Sequence, residues 1–231
     1  MESIALIPAR GGSKRIPQKN IKEFCGKPII YWTIRAALES NIFKDIIISS
    51  DDSEIIDIAR GFGVKAPFVR PKKISGDYST THEVVFHAIK KLNELGVSEF
   101  NSLCCLYPCS PLINPSDIKA SYRILESNPD KYIYPVTEYS HPISRAFSLD
   151  KDNKINFLHK ENEKTRTQDL ITYYHDAGQF YWASRKTWLN SNNMHTNAIA
   201  YKIPHWRTVD IDTIEDWKRA ELIFHYLENN E

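Results

Sequence analysis

This sequence has no long hydrophobic run, no marked excess of either charge and few cysteines. Its apolar runs have the length of single strands, which excludes a transmembrane helix of about 20 residues. Lys and Arg number 30 against 29 for Asp and Glu, so no basic face for nucleic-acid binding is indicated. The start, MESIALIPAR, lacks a charged segment followed by an apolar one, so no secretory signal peptide is expected. These absences predict a cytoplasmic protein that binds neither membranes nor nucleic acid.

The four cysteines do not follow the pattern of a metal site. Cys104 and Cys105 are adjacent within an apolar run, so their side chains point to opposite faces of a strand. No second pair stands at the spacing of a zinc site. We therefore interpret both as small buried hydrophobic residues and expect the thiols to be reduced, as is usual in the cytoplasm.

The first 136 residues alternate short β-branched runs with amphipathic segments. This rhythm predicts an α/β fold with a Rossmann-like, mostly parallel sheet flanked by helices. The predicted strands are Ser3–Pro8, Asp45–Ser49, Ala66–Val69, Ser102–Leu106 and Tyr132–Val136. The predicted helices are Pro28–Ser40, Ser53–Phe62, Thr80–Leu95 and Pro115–Ser127.

The alternation of predicted strands and helices ends near residue 137. Alternating pieces at Ala146–Asp150, Lys154–Leu158 and Gln179–Ala183 predict hairpins. We expect one domain over residues 1–231, interrupted by an inserted region at 137–190. The chain should return through strands at Ala198–Ile203 and Thr208–Ile211, and end in a helix from Ile214 to Leu227, capped by Thr213.

Ligands of parallel α/β sheets bind beyond the carboxyl ends of the strands, so the loop after the first strand is a candidate site. Gly11 and Gly12 allow close backbone approach, and successive amides in such a turn form an anion nest. Four cations lie within ten residues, namely Arg10, Lys14, Arg15 and Lys19. The loop lacks the GxxxxGK[ST] pattern of a Walker loop. Its position favours a triphosphate site over the alternative, a solvated basic turn.

A second candidate lies near the end of the chain. Asp210 and Asp212 are two residues apart on a predicted extended segment, so their carboxylates point the same way. Adjacent carboxylates repel each other, and a divalent cation relieves the repulsion; Mg2+ takes oxygen ligands and bridges to phosphate. The alternative is that this segment only caps the last helix, although Thr213 can cap while both aspartates face a ligand.

The segment Ile7–Ile21, IPARGGSKRIPQKNI, resembles the opening signature of the cytidylyltransferases that activate sialic-acid-like sugars. The resemblance covers essentially the whole chain. It implies transfer of CMP from CTP to the anomeric hydroxyl of an acidic nine-carbon sugar, with Mg2+ as cofactor and a homodimer as the assembly. Arg15 and Asp176 stand where neuraminate members usually have glycine and asparagine, which favours pseudaminate as the sugar. N-acetylneuraminate, legionaminate and Kdo remain alternatives, as does a non-catalytic nucleotide-binding module.

The resemblance also implies a role for individual residues. Arg10, Lys19 and Asp210 are the expected catalytic residues, and Asp210 and Asp212 the expected metal ligands. The residues expected to bind CTP are Ala9, Arg10, Gly11, Gly12, Lys19, Asn20, Arg70, Ser79 and Ser110. Those expected to bind the sugar are Tyr107, Arg166, Tyr174, Asp176 and Gln179.

The sequence leaves the roles of three residues open. Tyr107 and Cys109 depart from the Gln-Pro-Thr-Ser-Pro that the family commonly has at this place. Cys109 is not expected to be a nucleophile, because the reaction needs no covalent intermediate. His175 is a candidate general base, but a lone histidine is more often structural.

Overall fold

The computed structural model describes residues 2–230. The strands in this range are β1 (Ser3–Pro8), β2 (Glu23–Phe24), β3 (Lys27–Pro28), β4 (Phe43–Ser49), β5 (Ser102–Leu106), β6 (Tyr132–Glu138), β7 (Phe147–Leu149), β8 (Ile155–Phe157), β9 (Tyr174–Asp176), β10 (Phe180–Ser184) and β11 (Ala198–Lys202). The α-helices are α1 (Ile29–Ser40), α2 (Ser53–Gly61), α3 (Thr81–Glu94), α4 (Pro115–Ser127), α5 (Arg185–Asn190) and α6 (Ile214–Glu228).

The central sheet has the strand order β11-β6-β10-β5-β1-β4, and β9 pairs with β6. β1 lies between β5 and β4 and is parallel to both. β10 is antiparallel to β5 and to β6, so every other strand on this path points the same way. The prediction of a mostly parallel sheet flanked by helices is confirmed.

Both faces of the sheet are covered, as the all-apolar strand centres require. Side chains of α1, α2 and α4 pack on one face with Cys104, whereas α3 and α5 pack on the other with Cys105. Both thiols are fully buried, on opposite faces of β5. A third cluster joins α6 to α1 and to the loop after β1 through Trp217, Phe224 and Ile16. The last helix therefore holds the first loop in place.

Three predicted helix starts are present with their caps. Thr80 and Glu83 form a capping box at α3, and Thr213 and Asp216 form another at α6. The Asn114 side chain accepts from the Ser116 amide at the start of α4. Such caps contribute about 1 kcal/mol each, and they are readable from sequence because they are local.

Two predicted strands are wrong. Ala66–Val69 contains no strand, and the sheet edge there has only an isolated bridge between Ile47 and Lys65. Pro67 has no N–H to donate, and the chain leaves the sheet to place Arg70. Thr208–Ile211 is also outside any strand, because a 3-10 turn at His205–Arg207 takes the chain off the sheet after β11.

The predicted inserted region, 137–190, is too long. Its C-terminal part contains β10, which lies in the middle of the main sheet between β5 and β6. Phe180, Tyr181 and Trp182 are all buried, which indicates a strand covered on both faces of the sheet and not one strand of a surface hairpin. The predicted hairpin at 146–158 is present as β7 and β8, which pair with each other and not with the central sheet. No helix within residues 2–230 is both long and apolar enough to cross a bilayer.

Candidate active site

A cavity of about 560 Å³ lies beyond the carboxyl ends of β1 and β5. That volume is typical of small-ligand sites. The loops after β1 and β5, the loop before α3 and the segment before α6 form its walls. Its lining residues are Pro8, Arg10, Ser13, Lys14, Arg15, Lys19, Asn20, Arg70, Ile74, Ser75, Gly76, Asp77, Ser79, Thr81, Val84, Tyr107, Pro108, Cys109, Ser110, Gly178, Val209, Asp210 and Ile211. We call it the first cavity.

The four cations of the first loop all line the first cavity. Lys19 is held there by the segment before α6, because its Nζ donates to the Ile211 carbonyl at 2.7 Å and lies 3.6 Å from Asp212. Arg15 also pairs with Asp212, at 2.7 Å. The loop after β1 and the segment before α6 therefore build this part of the wall together.

Asp77 pairs with the other two cations. Its carboxylate oxygens lie 2.7 Å from Arg10 Nη1 and 2.6 Å from Lys14 Nζ. The hydrogen bonds from Lys14 and then Arg10 lower the pKa of Asp77. Sequence reasoning missed Asp77. Nothing in the sequence around a single loop carboxylate distinguishes one that forms ion pairs from one that only contacts water.

The Gly11 amide, which the sequence places in an anion nest, has a partner within the protein. The Gly11 amide donates to Asp51 Oδ1 at 3.2 Å, so it is not free for a phosphate. A Cβ on Gly11 would overlap Asp52, whose Cβ lies 2.9 Å away and whose side chain caps α2. Glycine is therefore needed here for packing of the loop against α2. Neither Gly11 nor Gly12 is part of the cavity wall.

Ala9 and Asn20 hold the loop rather than present free groups to a ligand. Ala9 is fully buried, is absent from the cavity wall, and donates its amide to the Ser49 carbonyl at 3.0 Å. Asn20 lines the cavity, but its Nδ2 donates to the Arg10 carbonyl at 2.8 Å and its Oδ1 accepts from Cys109 Sγ at 3.0 Å. These bonds fix the position of Arg10.

Cys109 is a protonated thiol in this site. Burial raises its pKa to about 12; Lys19 opposes the shift, and Asp210 and Asp212 add to it. A thiol with so high a pKa is a poor nucleophile at neutral pH. The geometry therefore agrees with the expectation that Cys109 forms no covalent intermediate.

Arg70 is a buried member of the wall of the first cavity. Its side chain is only 3% exposed, and its Nε donates to Ser75 Oγ at 3.0 Å. Burial lowers the pKa of Arg70, and nearby Asp51 opposes the shift. Ser79 and Ser110 both line the cavity, and the Ser110 hydroxyl donates to the Gly178 carbonyl at 3.3 Å.

Asp210 and Asp212 differ in their partners. Asp212 is paired with Arg15 and Lys19. Asp210 faces the first cavity, and nothing in residues 2–230 forms a hydrogen bond or ion pair with it. Loss of hydration and then the charge of Asp212 raise the pKa of Asp210, although Lys19 and Arg15 oppose the shift. An unpaired carboxylate beside a second one fits a hard cation that prefers oxygen ligands.

The described residues do not form a complete metal cage. No group of three or more His, Cys, Asp or Glu side chains in residues 2–230 is placed to hold a metal ion. A cation at Asp210 and Asp212 would therefore take its other ligands from water or phosphate, as Mg2+ commonly does.

Two of the five residues expected to bind the sugar lie at cavities. Tyr107 lines the first cavity and also a second one, of about 530 Å³, which Asp176 helps to form. The second cavity is lined by Thr80, Thr81, His82, Glu83, Tyr107, Asp176, Tyr181, Asn192, Asn193, Met194 and His195. The two cavities share Thr81 and Tyr107, so they are neighbours.

The other three lie outside both cavity walls. Gln179 is buried, and its Nε2 donates to the Arg207 carbonyl at 3.2 Å. Arg166 is on the surface and pairs with Asp169 at 2.7 Å. Tyr174 donates to Glu138 and accepts from Lys202. Arg166 and Tyr174 lie there because of the path that the chain takes through residues 139–175, and this path cannot be predicted from the sequence alone.

His175 does not lie in the wall of either cavity. Its Nδ1 is 2.8 Å from the Asp176 carbonyl, and since a carbonyl only accepts, Nδ1 donates. Its ring packs on Tyr139, with the centroids 4.7 Å apart. Within this chain it is a structural histidine rather than a general base.

Comparison with known proteins agrees with this architecture. A family model described as cytidylyltransferase matches residues 4–225. A pseudaminic acid cytidylyltransferase of Campylobacter jejuni is 41% identical over 225 residues, covering 97% of both chains. A CMP-N,N'-diacetyllegionaminic acid synthase of Legionella pneumophila is 31% identical, covering 96% of this chain and 95% of the other.

A solved structure shares the fold at low identity. It is a CMP:2-keto-3-deoxy-manno-octonic acid synthetase complexed with CTP, with a TM-score of 0.73 at 17% identity, covering 98% of this chain and 100% of the other. The sheet with one antiparallel strand at its centre, the cationic loop after β1 and the match over residues 4–225 agree with one another. On these grounds the chain belongs to the cytidylyltransferase family.

Proposed function

We propose that this enzyme transfers CMP from CTP to the anomeric hydroxyl of an acidic nine-carbon sugar, with pseudaminate as the sugar, and releases pyrophosphate. The observation that carries the proposal is that one cavity brings four loop cations together with Asp210, which has no ion-pair partner among residues 2–230. The similarity to the Campylobacter jejuni protein supports the choice of pseudaminate.

The charge distribution orients the nucleotide. A triphosphate suits the part of the wall formed by Arg10, Lys14 and Lys19, because charge-assisted hydrogen bonds to phosphate are strong. We propose that the base lies near Arg70, Ser79 and Thr81, which also line the first cavity. Ser79 and Ser110 are the residues proposed to contact the nucleoside.

Positioning and neutralisation of charge supply the catalysis. The anomeric hydroxyl attacks the α-phosphorus in line with the departing pyrophosphate. Lys19 stabilises the negative charge that develops on the phosphates, with Arg10 beside it. Asp77 and Asp210 are the carboxylates in the wall of the first cavity, and only Asp210 has no ion-pair partner in residues 2–230. We propose that Asp210 helps to remove the hydroxyl proton, with water carrying it between them.

We include Mg2+ in the proposal, held by Asp210 and Asp212. When bound there it supplies neutralisation of phosphate charge. The fit rests on the oxygen-only donor pair and on Asp210 having no hydrogen-bond partner within the described range, 2–230.

The sugar is placed in the second cavity, beside Asp176 and Tyr181. Among the described residues, no Lys or Arg lines that cavity, although the sugar carries a carboxylate. We therefore propose a homodimer in which Arg166, exposed on the surface, reaches the sugar site of the partner subunit. The exposed apolar hairpin β7–β8 is the proposed contact surface. The enzyme is assigned to the cytoplasm, where CTP is available and its four free thiols stay reduced.

The test is release of pyrophosphate from CTP by the purified protein with each candidate sugar at equal concentration. We expect pseudaminate to give the highest kcat/KM, with N-acetylneuraminate, legionaminate and Kdo below it. Better use of another nine-carbon sugar would overturn the choice of sugar. No release with any sugar, in a folded protein that binds CTP, would favour a non-catalytic nucleotide-binding module.

A further inference from the structure

A buried ion pair outside both cavities joins α4 to the segment before α6. Arg207 Nη1 donates to Asp117 Oδ2 at 2.7 Å, and the two side chains are only 13% and 7% exposed. The hydroxyl of Tyr201, in β11, donates to the other carboxylate oxygen at 2.8 Å. Neither Arg207 nor Asp117 lines the first or the second cavity. The pair is therefore not placed to contact a substrate in either of them.

The stability of the fold does not explain why this pair is buried. Asp117 is in the first turn of α4, where the helix N-terminus favours a negative charge. A carboxylate and a guanidinium lose their hydration when they are buried, and an apolar pair of similar size is often as stable or more stable. The ion pair does supply direction, because a charge-assisted hydrogen bond fixes where α4 and the segment before α6 meet.

Arg207 also fixes the backbone that enters the first cavity. Asp210 follows three residues later and lines the cavity wall with Ile211. The Arg207 carbonyl accepts from Gln179 Nε2 at 3.2 Å, so Arg207 is held through its backbone as well as its side chain. The Ile211 carbonyl accepts from Lys19 Nζ at 2.7 Å. The chain is thus held on both sides of Asp210, at residues 207 and 211.

The partners of Arg207 belong to two other walls of the first cavity. Asp117 lies in the helix that the loop after β5 enters, and Ser110 of that loop lines the cavity. Gln179 directly follows Gly178, another lining residue, whose carbonyl accepts from the Ser110 hydroxyl at 3.3 Å. Arg207 therefore sets the segment before α6 in a fixed position relative to both walls.

We infer that Arg207 is a positioning residue whose ion pair with Asp117 sets the place of the Asp210 carboxylate in the first cavity. Asp210 has no ion-pair partner of its own in residues 2–230, so its place depends on the backbone that carries it. The inference rests on the proposed function, in which Asp210 and Asp212 hold Mg2+. A shift of the backbone at Asp210 weakens that metal site and slows transfer, while it leaves the cationic loop after β1 in place.

The test removes the ion pair and its phenol partner at nearly constant size, in the triple variant Asp117→Leu, Tyr201→Phe, Arg207→Met. Replacing all three groups avoids leaving a buried charge or hydroxyl without a partner, which would destabilise the fold. We expect kcat for pyrophosphate release with CTP and pseudaminate to fall by about 10- to 100-fold, as displacement of a group at the reaction centre does. The KM for CTP should change little, because the cationic loop is unaltered.

A second readout does not use activity. Water proton relaxation measures Mn2+ held by the complex of protein and CTP, because Mn2+ relaxes water more strongly on a protein than on CTP alone. Measured without sugar, the Kd for Mn2+ should rise about tenfold in the triple variant, as loss of groups that orient metal ligands commonly does. Arg207→Lys keeps the charge but not the planar fork of donors, so its kcat and its Kd for Mn2+ should lie between those of the wild type and the triple variant.

Arg35 and Glu228 provide the matched control. They form an Arg–carboxylate pair at 2.6 Å that joins α1 to α6, and neither residue lines the first or the second cavity. The double variant Arg35→Met, Glu228→Gln should keep the kcat and the Mn2+ affinity of the wild type. Thermal unfolding checks that each variant is folded. Wild-type kcat and Mn2+ affinity in the folded triple variant, or in Arg207→Lys if the triple variant does not fold, would overturn the inference.

These outcomes are distinguishable from a failure of the proposed function. A wild-type protein that binds Mn2+ and CTP but releases no pyrophosphate would contradict only the proposed reaction, and the Mn2+ measurement would still decide the role of Arg207. A wild-type protein whose complex with CTP holds no Mn2+ would contradict the proposed metal site and this inference with it.

Discussion

Arg10 Nη1 lies 2.7 Å from Asp77 Oδ1, an ion pair that joins the cationic loop after β1 to the loop before α3. Both residues line the first cavity. Lys14 pairs with the second oxygen of the same carboxylate. The Asp77 carboxylate thus pairs with Arg10 and Lys14, two of the cations proposed to bind the triphosphate.

Asp77→Asn should lower the KM for CTP, because the triphosphate no longer competes with a carboxylate for Arg10 and Lys14. Exposed pairs of this kind contribute about 0.2–1 kcal/mol, so a fall of a few-fold is expected. Steady-state kinetics at several salt concentrations measure it, with the largest difference at low salt. A higher KM would mean instead that Asp77 is needed to order the loop around the nucleotide.

Lys19→Ala should reduce kcat/KM by about 100- to 1,000-fold, as loss of a comparable electrostatic group costs ~2.7–4 kcal/mol. The reason is the position of Lys19 in the first cavity, fixed by its bond to the Ile211 carbonyl. Lys22→Ala is the control, since Lys22 is exposed outside the cavity and lies over the Trp217 ring. Near-normal turnover in a folded Lys19→Ala protein would remove the proposed role.

Chelation should abolish activity. EDTA is expected to stop pyrophosphate release, and excess Mg2+ or Mn2+ to restore it, if Asp210 and Asp212 hold the cation. Asp212→Asn should raise the Mg2+ concentration needed for half-maximal activity or eliminate activity. Glu215→Gln, an exposed neighbour in the first turn of α6, should behave as wild type. Full activity in EDTA would exclude the metal from the mechanism.

Asp210→Asn should raise the Tm of the nucleotide-free protein at neutral pH while it abolishes activity. The pKa of Asp210 is raised in the folded state, so its charged form destabilises the fold relative to the unfolded chain. That destabilisation is present above the raised pKa and disappears as the pH falls through it. The difference in Tm between variant and wild type should therefore close on acidification.

Thermal unfolding across that pH range tests this prediction. Asp57→Asn, on the exposed face of α2, should change Tm little at any of these pH values. A variant no more stable than wild type at neutral pH would mean that Asp210 is not destabilised by its surroundings.

Charge placed on the β7–β8 hairpin should prevent the proposed dimer from forming. Leu149 and Ile155 are cross-strand partners with 58% and 56% of their surface exposed in the single chain. The double variant Leu149→Asp, Ile155→Asp should elute as a monomer, whereas the wild-type protein should have twice the chain mass by light scattering. Leu222→Asp, at a 74% exposed leucine of α6, should remain dimeric. A monomeric wild-type protein at micromolar concentration would contradict the proposal.

The local features of this protein are encoded in short stretches of its sequence. The capping pair Thr80 and Glu83, the Asn114–Pro115 start of α4 and the buried run at Ser102–Leu106 each depend on residues within a few positions of one another. For the same reason the cationic loop after β1 and the two aspartates before α6 were recognisable without coordinates. The direction of most strands followed from the alternation of strand and helix.

Only the tertiary structure decided which of these stretches meet. Lys19 lies beside Asp212, and Asp77 reaches Arg10, through the stacking of α6 on α1 and the course of the loop before α3. The sequence Phe180–Ser184 resembles a hairpin strand, and its place between β5 and β6 is set by hydrogen bonds to residues far along the chain. Gly11 was assigned to a phosphate, but the space it leaves is taken up by Asp52. Such contacts depend on packing over the whole domain, and no short pattern of residues specifies them.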